Sequence, residues 1–270
     1  MTTPNHLNNE EMNQVKLAAQ NLLPEFKVIL GDKAKEVPDE VLLRFLHWKQ
    51  DVKRATERFD SHLKWRKNNK FFFDDDPPLT PSKDPSLKRV LESEVIVAPD
   101  GFVDKAGNAV LVGRLRNNDM KDGRTPEDVA RMVVYTIDKV LQNENAQING
   151  VTVFHDLKGL SPKNVHPAIP KMIFSAIIGN LPIRIQGIYI KDAPFFFHGL
   201  FKVLSIMFPP KLKQRIHFVK SLKDVPINAE DFLVEHGGKR VYDTKAWIQT
   251  QIERENEDDK NSLGSIPIRS

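Results

Sequence analysis

Histidine is the residue type with the widest scope for chemistry in this chain, and its eight copies are scattered along the sequence. No two of them have the spacing that is typical of a metal-binding motif. The patterns G-x-S-x-G, G-x-x-x-x-G-K-[ST] and H-E-x-x-H are absent, as is G-x-G-x-x-G after a strand. Cysteine is absent too, which excludes disulfides, thiolate metal sites and cysteine nucleophiles. The sequence therefore argues against an enzyme and against a metal centre.

One histidine interrupts an apolar strand pattern. Residues 150–157 read GVTVFHDL, and strand alternation places Val151, Val153 and His155 on the same face. An imidazole at that position could hydrogen-bond the polar end of a ligand. It could equally bond a backbone carbonyl or a water molecule within an ordinary core, so both readings stay open.

The stretch from Pro194 to Pro210, PFFFHGLFKVLSIMFPP, is far more apolar than a surface helix. Its polar residues His198, Lys202 and Ser205 fall on one narrow stripe at helical spacing. About 14 residues between the prolines make roughly 21 Å of helix, whereas crossing a bilayer takes about 20 residues. The segment is too short to span a membrane. It could lie on a membrane, or it could be the buried central helix of an α/β domain.

Composition describes an ordinary globular chain of 270 residues, 40% of them hydrophobic, with a net charge of +4. That excess is modest, so attraction to phosphate has to come from local clustering. Aromatic residues sit in apolar runs and do not alternate with Lys and Arg, which argues against nucleic-acid binding. The start of the chain lacks a basic leader and an apolar segment, so we expect neither a signal peptide nor a membrane anchor. We therefore expect a cytoplasmic protein.

Three short helices are predicted over residues 10–75, the first of them carrying Pro24 as a possible kink. Residues 71–85 contain the acidic run Asp74–Asp76 and four prolines, which predicts a linker. Residues 86–245 then alternate strands with helices, the pattern of an α/β fold with a mostly parallel sheet. The polar end, residues 253–270, reads as a disordered tail. The predicted strands are Val95–Val97, Ala109–Val112, Val151–Phe154, Ile183–Ile190 and Ile216–Val219.

Five segments, in order between Pro38 and Gly238, resemble the CRAL-TRIO (Sec14-like) lipid-binding family, in particular its branch around the α-tocopherol and retinaldehyde carriers. They are VLLRFLHWKQDVKRATERFDSHLKWRK, DKAGNAVLVGRL, NGVTVFHDLKGLS, PIRIQGIYIKDAPFFFHGLFKVLSIMFPPKLKQRIHFV and FLVEHGGK. The resemblance implies a small N-terminal helical domain followed by an α/β/α sandwich that encloses one hydrophobic ligand. It also implies that the helix after Pro194 is a mobile lid over the pocket.

The resemblance further implies roles for individual residues. His155 stands where the family usually has an aromatic residue. A lid helix of this kind would turn one stripe to the ligand and a neighbouring stripe to the membrane. The implied membrane-facing stripe consists of Phe197, Phe201, Leu204 and Phe208. The implied ligand-facing residues are Val133, Ile137, Val151, Val153, His155, Ile173, Ile177, Ile185, Ile188, Phe196, Leu200 and Val203.

A basic cluster for phosphoinositide head groups is also implied by the resemblance. Its members are Arg66, Arg184, Lys211 and Arg215, while Gln186 replaces a basic residue of the family pattern. Losing one cation removes about 1 kcal/mol of attraction to an anionic surface. Ordinary solvated surface charge is the alternative for each of these residues.

From these observations we expect a monomer without a cofactor that binds one lipid or terpenoid, such as a tocopherol or a retinoid. It would exchange that ligand at membranes through the lid and the basic cluster. An alternative is an adaptor that senses phosphoinositides and does not exchange lipid. An enzyme with an apolar substrate is the third reading, and no acid, base or nucleophile pair supports it.

Overall fold

The computed structural model describes residues 7–73 and 79–268, and for residues 256, 258 and 259 it describes the backbone only. Residues 1–6 of the polar start and the acidic run Asp74–Asp76, with the two prolines that follow it, lie outside the described residues. The helices are α1 (Asn9–Leu30), α2 (Asp39–Lys49), α3 (Val52–Asn68), α4 (Pro85–Glu92), α5 (Pro126–Val140), α6 (Glu144–Asn149), α7 (Ala168–Ile177), α8 (Phe195–Leu204), α9 (Pro210–Lys213) and α10 (Thr244–Asn261).

Helices α1, α2 and α3 form where the apolar spacing predicts them. Asn8 and Glu11 exchange hydrogen bonds between side chain and backbone, at 2.9 and 2.7 Å, and this capping box begins α1. Pro24 lies within α1 and does not end it. Phe45 of α2 packs edge-on against Phe59 of α3, with ring centroids 5.1 Å apart. Burial of these aromatic rings holds the short helices together.

A single five-stranded sheet follows, in the order β1-β2-β3-β4-β5. Strand β1 is antiparallel to β2, and the other neighbours are parallel, which confirms the predicted α/β class with a mostly parallel sheet. In this register His155 lies opposite Gly113 on one side and Ile190 on the other. The strands are β1 (Ile96–Val97), β2 (Ala109–Gly113), β3 (Val151–Asp156), β4 (Ile185–Lys191) and β5 (Ile216–Val219).

The two faces of the sheet have different covers. Because the parallel strands follow one another in sequence order, right-handed crossovers all return over the same face. That face packs against α5 and α7, where Val133 and Val153 share one apolar core. The other face packs against residues 225–233, and the rings of Phe154 and Phe232 meet there at 5.6 Å. Alternation along β3 therefore sorts its side chains as the sequence predicts.

The segment predicted as a linker packs into the core on both sides of the undescribed residues. Phe72 is fully buried, and Asp84 begins α4 by accepting hydrogen bonds from the backbone of Ser86 and Leu87. The second carboxylate oxygen of Asp84 accepts from Arg131 Nη2 of α5 at 2.8 Å. The N-terminal helices and the sheet share one apolar core, so the division at residues 75–86 stays a prediction.

The expected disordered tail from residue 253 is wrong for the part that the structure describes. Helix α10 extends to Asn261, and beyond it Leu263 and Ile266 are buried. Arg44 Nη1 donates to Asp138 Oδ1 at 2.6 Å, and the same oxygen accepts from Leu263 N at 3.1 Å. Polar composition suggested disorder, but partners far away in sequence satisfy the polar groups of this segment.

Candidate functional site

A cavity of about 210 Å³ lies between the sheet and the helices α5, α7 and α8. One water molecule needs only about 10–15 Å³ of such space, so the cavity can hold a much larger molecule. Its wall is almost wholly apolar, with a few polar atoms from side chains such as His155 and Asn118. A space with this lining is suited to a hydrophobic ligand with little polar character.

Most of the side chains implied as ligand-facing line this cavity. Three do not. Val151 begins β3 and is fully buried outside the cavity wall, Phe196 is half-buried against neighbouring apolar residues, and Val203 is 65% exposed on α8. The implied residues that do line the cavity are Val133, Ile137, Val153, His155, Ile173, Ile177, Ile185, Ile188 and Leu200.

The lid helix α8 is rotated about its axis relative to the orientation that the resemblance implies. The four residues assigned to the membrane turn inward and line the cavity, and they are Phe197, Phe201, Leu204 and Phe208. The residues that face outward form a second stripe, which we call the exposed stripe: Phe195, Val203, Ile206 and Met207, at 95%, 65%, 78% and 43% exposure. Both stripes are apolar, so hydrophobic pattern alone could not decide the rotation of the helix.

Aromatic contacts hold the lid against the cavity. Phe208 follows α8 and packs on Phe174 of α7, with ring centroids 4.4 Å apart. Phe201 lies 6.0 Å from Phe208 and 5.0 Å from Phe218 of β5. These edge-on pairs close the space between α7, the lid and the last strand.

Strand alternation puts His155 on the same face of β3 as Val153, and the resemblance implies that this face meets the ligand. In the structure His155 lines the cavity. Burial lowers the pKa of its imidazole to about 4, so the ring is neutral at pH 7. Its Nδ1 atom is buried and has no hydrogen-bond partner among the described residues. The alternative, in which His155 is a core histidine with its hydrogen bonds satisfied by the protein, does not hold for Nδ1.

A cluster of cations lies at the amino ends of β4 and β5, where Arg184 precedes one strand and Arg215 precedes the other. Lys49 ends α2 and places its Nζ 3.9 Å above the ring of Trp48. Burial, and then repulsion from Arg58, lowers the pKa of Lys49 to about 8, with smaller effects of the same sign from other cations. We call this group the basic cluster: Lys49, Arg54, Arg58, Arg184, Lys211 and Arg215.

Arg66 does not belong to the basic cluster, which corrects its implied role in phosphoinositide binding. Only 1% of the residue is exposed, and its Nη1 donates to the carbonyl oxygens of Leu263 and Ile266 at 2.8 Å each. Because its donors point at the C-terminal segment, Arg66 stabilises that segment and does not reach the surface. Lys49, Arg54 and Arg58 supply cations that the resemblance did not indicate.

Residues 93–238 match the family model described as the CRAL/TRIO domain. The match covers more than half of the 270 residues. The chain belongs to the CRAL/TRIO family. Members of this family bind and transfer lipophilic ligands.

Two relatives and one solved structure show the extent of this CRAL/TRIO likeness. Clavesin-2 from Homo sapiens is 26% identical over 203 residues, which are 69% of this chain and 59% of that protein. The human alpha-tocopherol transfer protein-like protein is 27% identical over 238 residues, 85% of this chain and 67% of that one. The crystal structure of Sfh5 superposes with a TM-score of 0.53 at 13% identity, covering 92% of this chain and 99% of that chain, and supports the fold.

Sequence reasoning missed part of the CRAL/TRIO cavity wall. Ile190 follows Ile188 by two positions in β4, and Ile169 precedes Ile173 by four in α7, so alternation and helical spacing could have found both. Asn118 and Asn164 lie in or beside short turns, where no periodic signal exists. The other missed wall residues are Val95, Ile96, Leu111, Leu115, Val129, Val165, His166, Pro170, Phe174, Leu212 and Ile216.

Within residues 7–73 and 79–268, no helix of this CRAL/TRIO chain combines the length and the apolarity that crossing a membrane requires. The same residues contain no group of three or more His, Asp or Glu side chains placed to hold a metal ion.

Proposed function

We propose that the chain binds one hydrophobic lipid or terpenoid in its cavity and transfers it between membranes. The single observation that carries this proposal is the almost wholly apolar cavity beneath an aromatic lid. The described side chains that line it include no Ser, Thr, Lys, Asp or Glu, so they offer no nucleophile paired with a base. Binding and release are therefore the chemistry proposed, without a covalent step.

Release requires the lid to move, and the lid is stable in water only when closed. Opening would expose Phe197, Phe201 and Phe208, at roughly 4 kcal/mol per ring if each ring became fully exposed. The exposed stripe already presents apolar side chains to the surroundings. Insertion of that stripe into the lipid interface offsets part of the cost, so we propose that membrane contact favours opening.

The basic cluster supports docking on anionic head groups. Beside burial, four cations lower the pKa of Lys49, namely Arg58, Arg54, Arg184 and Lys211, which indicates that positive charges gather around it. Arginine donates paired hydrogen bonds to phosphate, and Arg58 is the arginine proposed for this role. Arg184 adds positive charge, while its Nη1 and Nη2 donate to the carbonyl oxygens of Ile148 and Trp48 at 2.9 and 3.0 Å. Phosphoinositides, which carry several phosphate charges, are the lipid class proposed as its partner.

Replacing Lys49 and Lys211 by glutamine is expected to weaken binding to phosphoinositide-containing vesicles about 30-fold. Each cation near an anionic surface contributes about 1 kcal/mol, and two of them correspond to about that factor. The matched control replaces Lys105 and Lys223, two exposed lysines near the opposite face of the sheet. Vesicle sedimentation at two salt concentrations measures the effect. Equal losses in both double variants would show that only net charge matters and would contradict the cluster.

Mass spectrometry of lipid extracted from the purified protein tests the proposed function, together with transfer between donor and acceptor vesicles. We expect one class of hydrophobic molecule in the extract and transfer that depends on protein concentration. A protein that is repeatedly empty and takes up no lipid would refute the proposal. Bound lipid without exchange would instead support the adaptor that senses phosphoinositides and keeps its ligand.

A further inference from the structure

Two polar atoms in the wall of the cavity lack a hydrogen-bond partner among the described residues. They are Nδ1 of His155 and Oδ1 of Asn118, and both atoms are buried. Buried polar groups are nearly always paired, because an unpaired one costs about 1–3 kcal/mol. Both residues line the same cavity, so a bound molecule can pair with Asn118 Oδ1 and with the other nitrogen of the His155 ring.

The orientation of the His155 ring is fixed by Gly113 on the neighbouring strand. A Cβ atom at position 113 would lie 2.0 Å from Nδ1 and 2.4 Å from Cε1 of the imidazole, so the ring rests where a side chain would otherwise stand. This contact covers Nδ1 and leaves Nε2 as the nitrogen that can reach a ligand. An orphaned N–H is rarer and costlier than an orphaned lone pair, so the proton belongs on Nε2 and points to the ligand as a donor.

Asn118 offers the complementary group. Its Nδ2 donates to the carbonyl oxygen of Asn164 at 2.9 Å, which assigns Oδ1 as the free atom of the amide. Asn164 is itself held, because its Nδ2 donates to the carbonyl oxygens of Arg116 and Asn118 at 3.0 and 3.1 Å. With 4% of Asn118 exposed, its Oδ1 is a fixed, buried acceptor at the cavity wall.

These two groups share one end of the fold. His155 is near the carboxyl end of β3, and Asn118 follows the carboxyl end of β2 by five residues. The basic cluster lies at the amino ends of β4 and β5, and therefore at the opposite end of the parallel strands. Among the described residues that line the cavity there is no Lys, Arg, Asp or Glu. His155 and Asn118 therefore give this end of the cavity one buried donor and one buried acceptor, beside the exposed His166 and the hydrogen-bonded Asn164.

We propose that the ligand carries a hydroxyl group, as an alcohol or a phenol, that accepts from His155 Nε2–H and donates to Asn118 Oδ1, directly or through one water. A hydroxyl group has both a donor and lone pairs. An ether or an aldehyde supplies an acceptor only, and a carboxylate adds a charge that no cation in the cavity wall compensates. This inference rests on the proposed lipid binding and specifies its ligand class.

Competition binding to the purified full chain with hexadecanol, hexadecyl methyl ether and palmitate tests the inference. We expect hexadecanol to bind about tenfold more tightly than the ether, one hydrogen bond's worth, and palmitate to bind at least about tenfold more weakly than hexadecanol at pH 7.5. Tighter binding of palmitate, or equal binding of alcohol and ether, would overturn the hydroxyl assignment while leaving lipid binding intact. Failure of all three probes to bind would refute the proposed function, and the inference with it.

Two variants separate the donor from the acceptor. Asn118→Leu is expected to weaken hexadecanol about tenfold and leave the ether unchanged, whereas His155→Phe weakens both probes alike, since both accept from Nε2–H. Ile173→Val is the control in the apolar wall and leaves the ratio of the two affinities unchanged. Should His155→Phe fail to fold, Gly113→Ala serves instead, because its Cβ displaces the imidazole and should weaken both probes in the same way. An unaltered ratio in Asn118→Leu, or unaltered affinities in both His155→Phe and Gly113→Ala, would overturn the proposal.

Discussion

Replacing Val203 and Ile206 by glutamine is expected to lower the affinity of the protein for membranes about 100-fold and to slow lipid transfer accordingly. Each side chain contributes about 1.5 kcal/mol or more when it leaves water, and 3 kcal/mol corresponds to roughly that factor. Neither side chain lines the cavity, so ligand affinity should stay within about twofold of the wild type. Vesicle sedimentation, transfer between vesicles and ligand titration measure the three quantities.

The control makes the same chemical change elsewhere on the surface. Val28 and Val241 are each 80% exposed and lie on α1 and before α10, so their replacement by glutamine should leave membrane affinity unchanged. Glutamine is neutral, which keeps electrostatic repulsion from anionic lipid out of the comparison. If the control pair slowed transfer as much as the lid pair, the exposed stripe would have no special role.

Placing aspartate at Phe197 and Phe201 discriminates between the two possible rotations of the lid. The rotation implied by the resemblance makes this pair membrane-facing, so ligand affinity would survive. In the structure both rings line the cavity, and buried charge there is costly, so ligand affinity should be lost together with transfer.

The sheet and its inner face could be predicted because their signals are local and repeat with a fixed period. Alternation along β3 places Val153 and His155 on one face of the strand, and in the structure both line the cavity. The lid carries apolar residues around most of its circumference, so its hydrophobic periodicity is compatible with two rotations of the helix about its axis. A rotation by about one residue, roughly 100°, turns the stripe of Phe197, Phe201 and Leu204 from the implied outer side to the inner side.

Features that depend on partners distant in sequence could not be predicted. Arg66 looks like a surface residue, because arginine is rarely buried unless it is paired. Its acceptors are carbonyl groups about two hundred residues later, in a segment whose own composition suggests disorder. Neither Arg66 nor the C-terminal segment shows in its own local sequence that the other will bind it. The predictions for the tail and for Arg66 are therefore wrong for the same reason.

Replacing Asp138 by asparagine is expected to lower the free energy of unfolding by about 3–5 kcal/mol, because it leaves the buried charge of Arg44 without the carboxylate that compensates it. The side chains of Asp138 and Arg44 are 3% and 1% exposed, with Oδ1 and Nη1 2.6 Å apart. Asparagine has nearly the same shape as aspartate, so the loss reports charge and not a cavity. Urea unfolding followed by circular dichroism gives the magnitude.

An exposed ion pair supplies the matched control for Asp138. Lys239 and Glu230 are 3.2 Å apart with side chains 81% and 69% exposed, so Glu230→Gln should cost no more than about 1 kcal/mol. Leu263 N loses its charged acceptor in Asp138→Asn, so its amide should also exchange with solvent faster than in the wild type. Asp138 directly follows the cavity residue Ile137 in α5, so loss of the ion pair between Asp138 and Arg44 should weaken ligand binding as well. A loss no larger than that of Glu230→Gln, with the amide of Leu263 still protected, would show that the C-terminal segment does not depend on this pair.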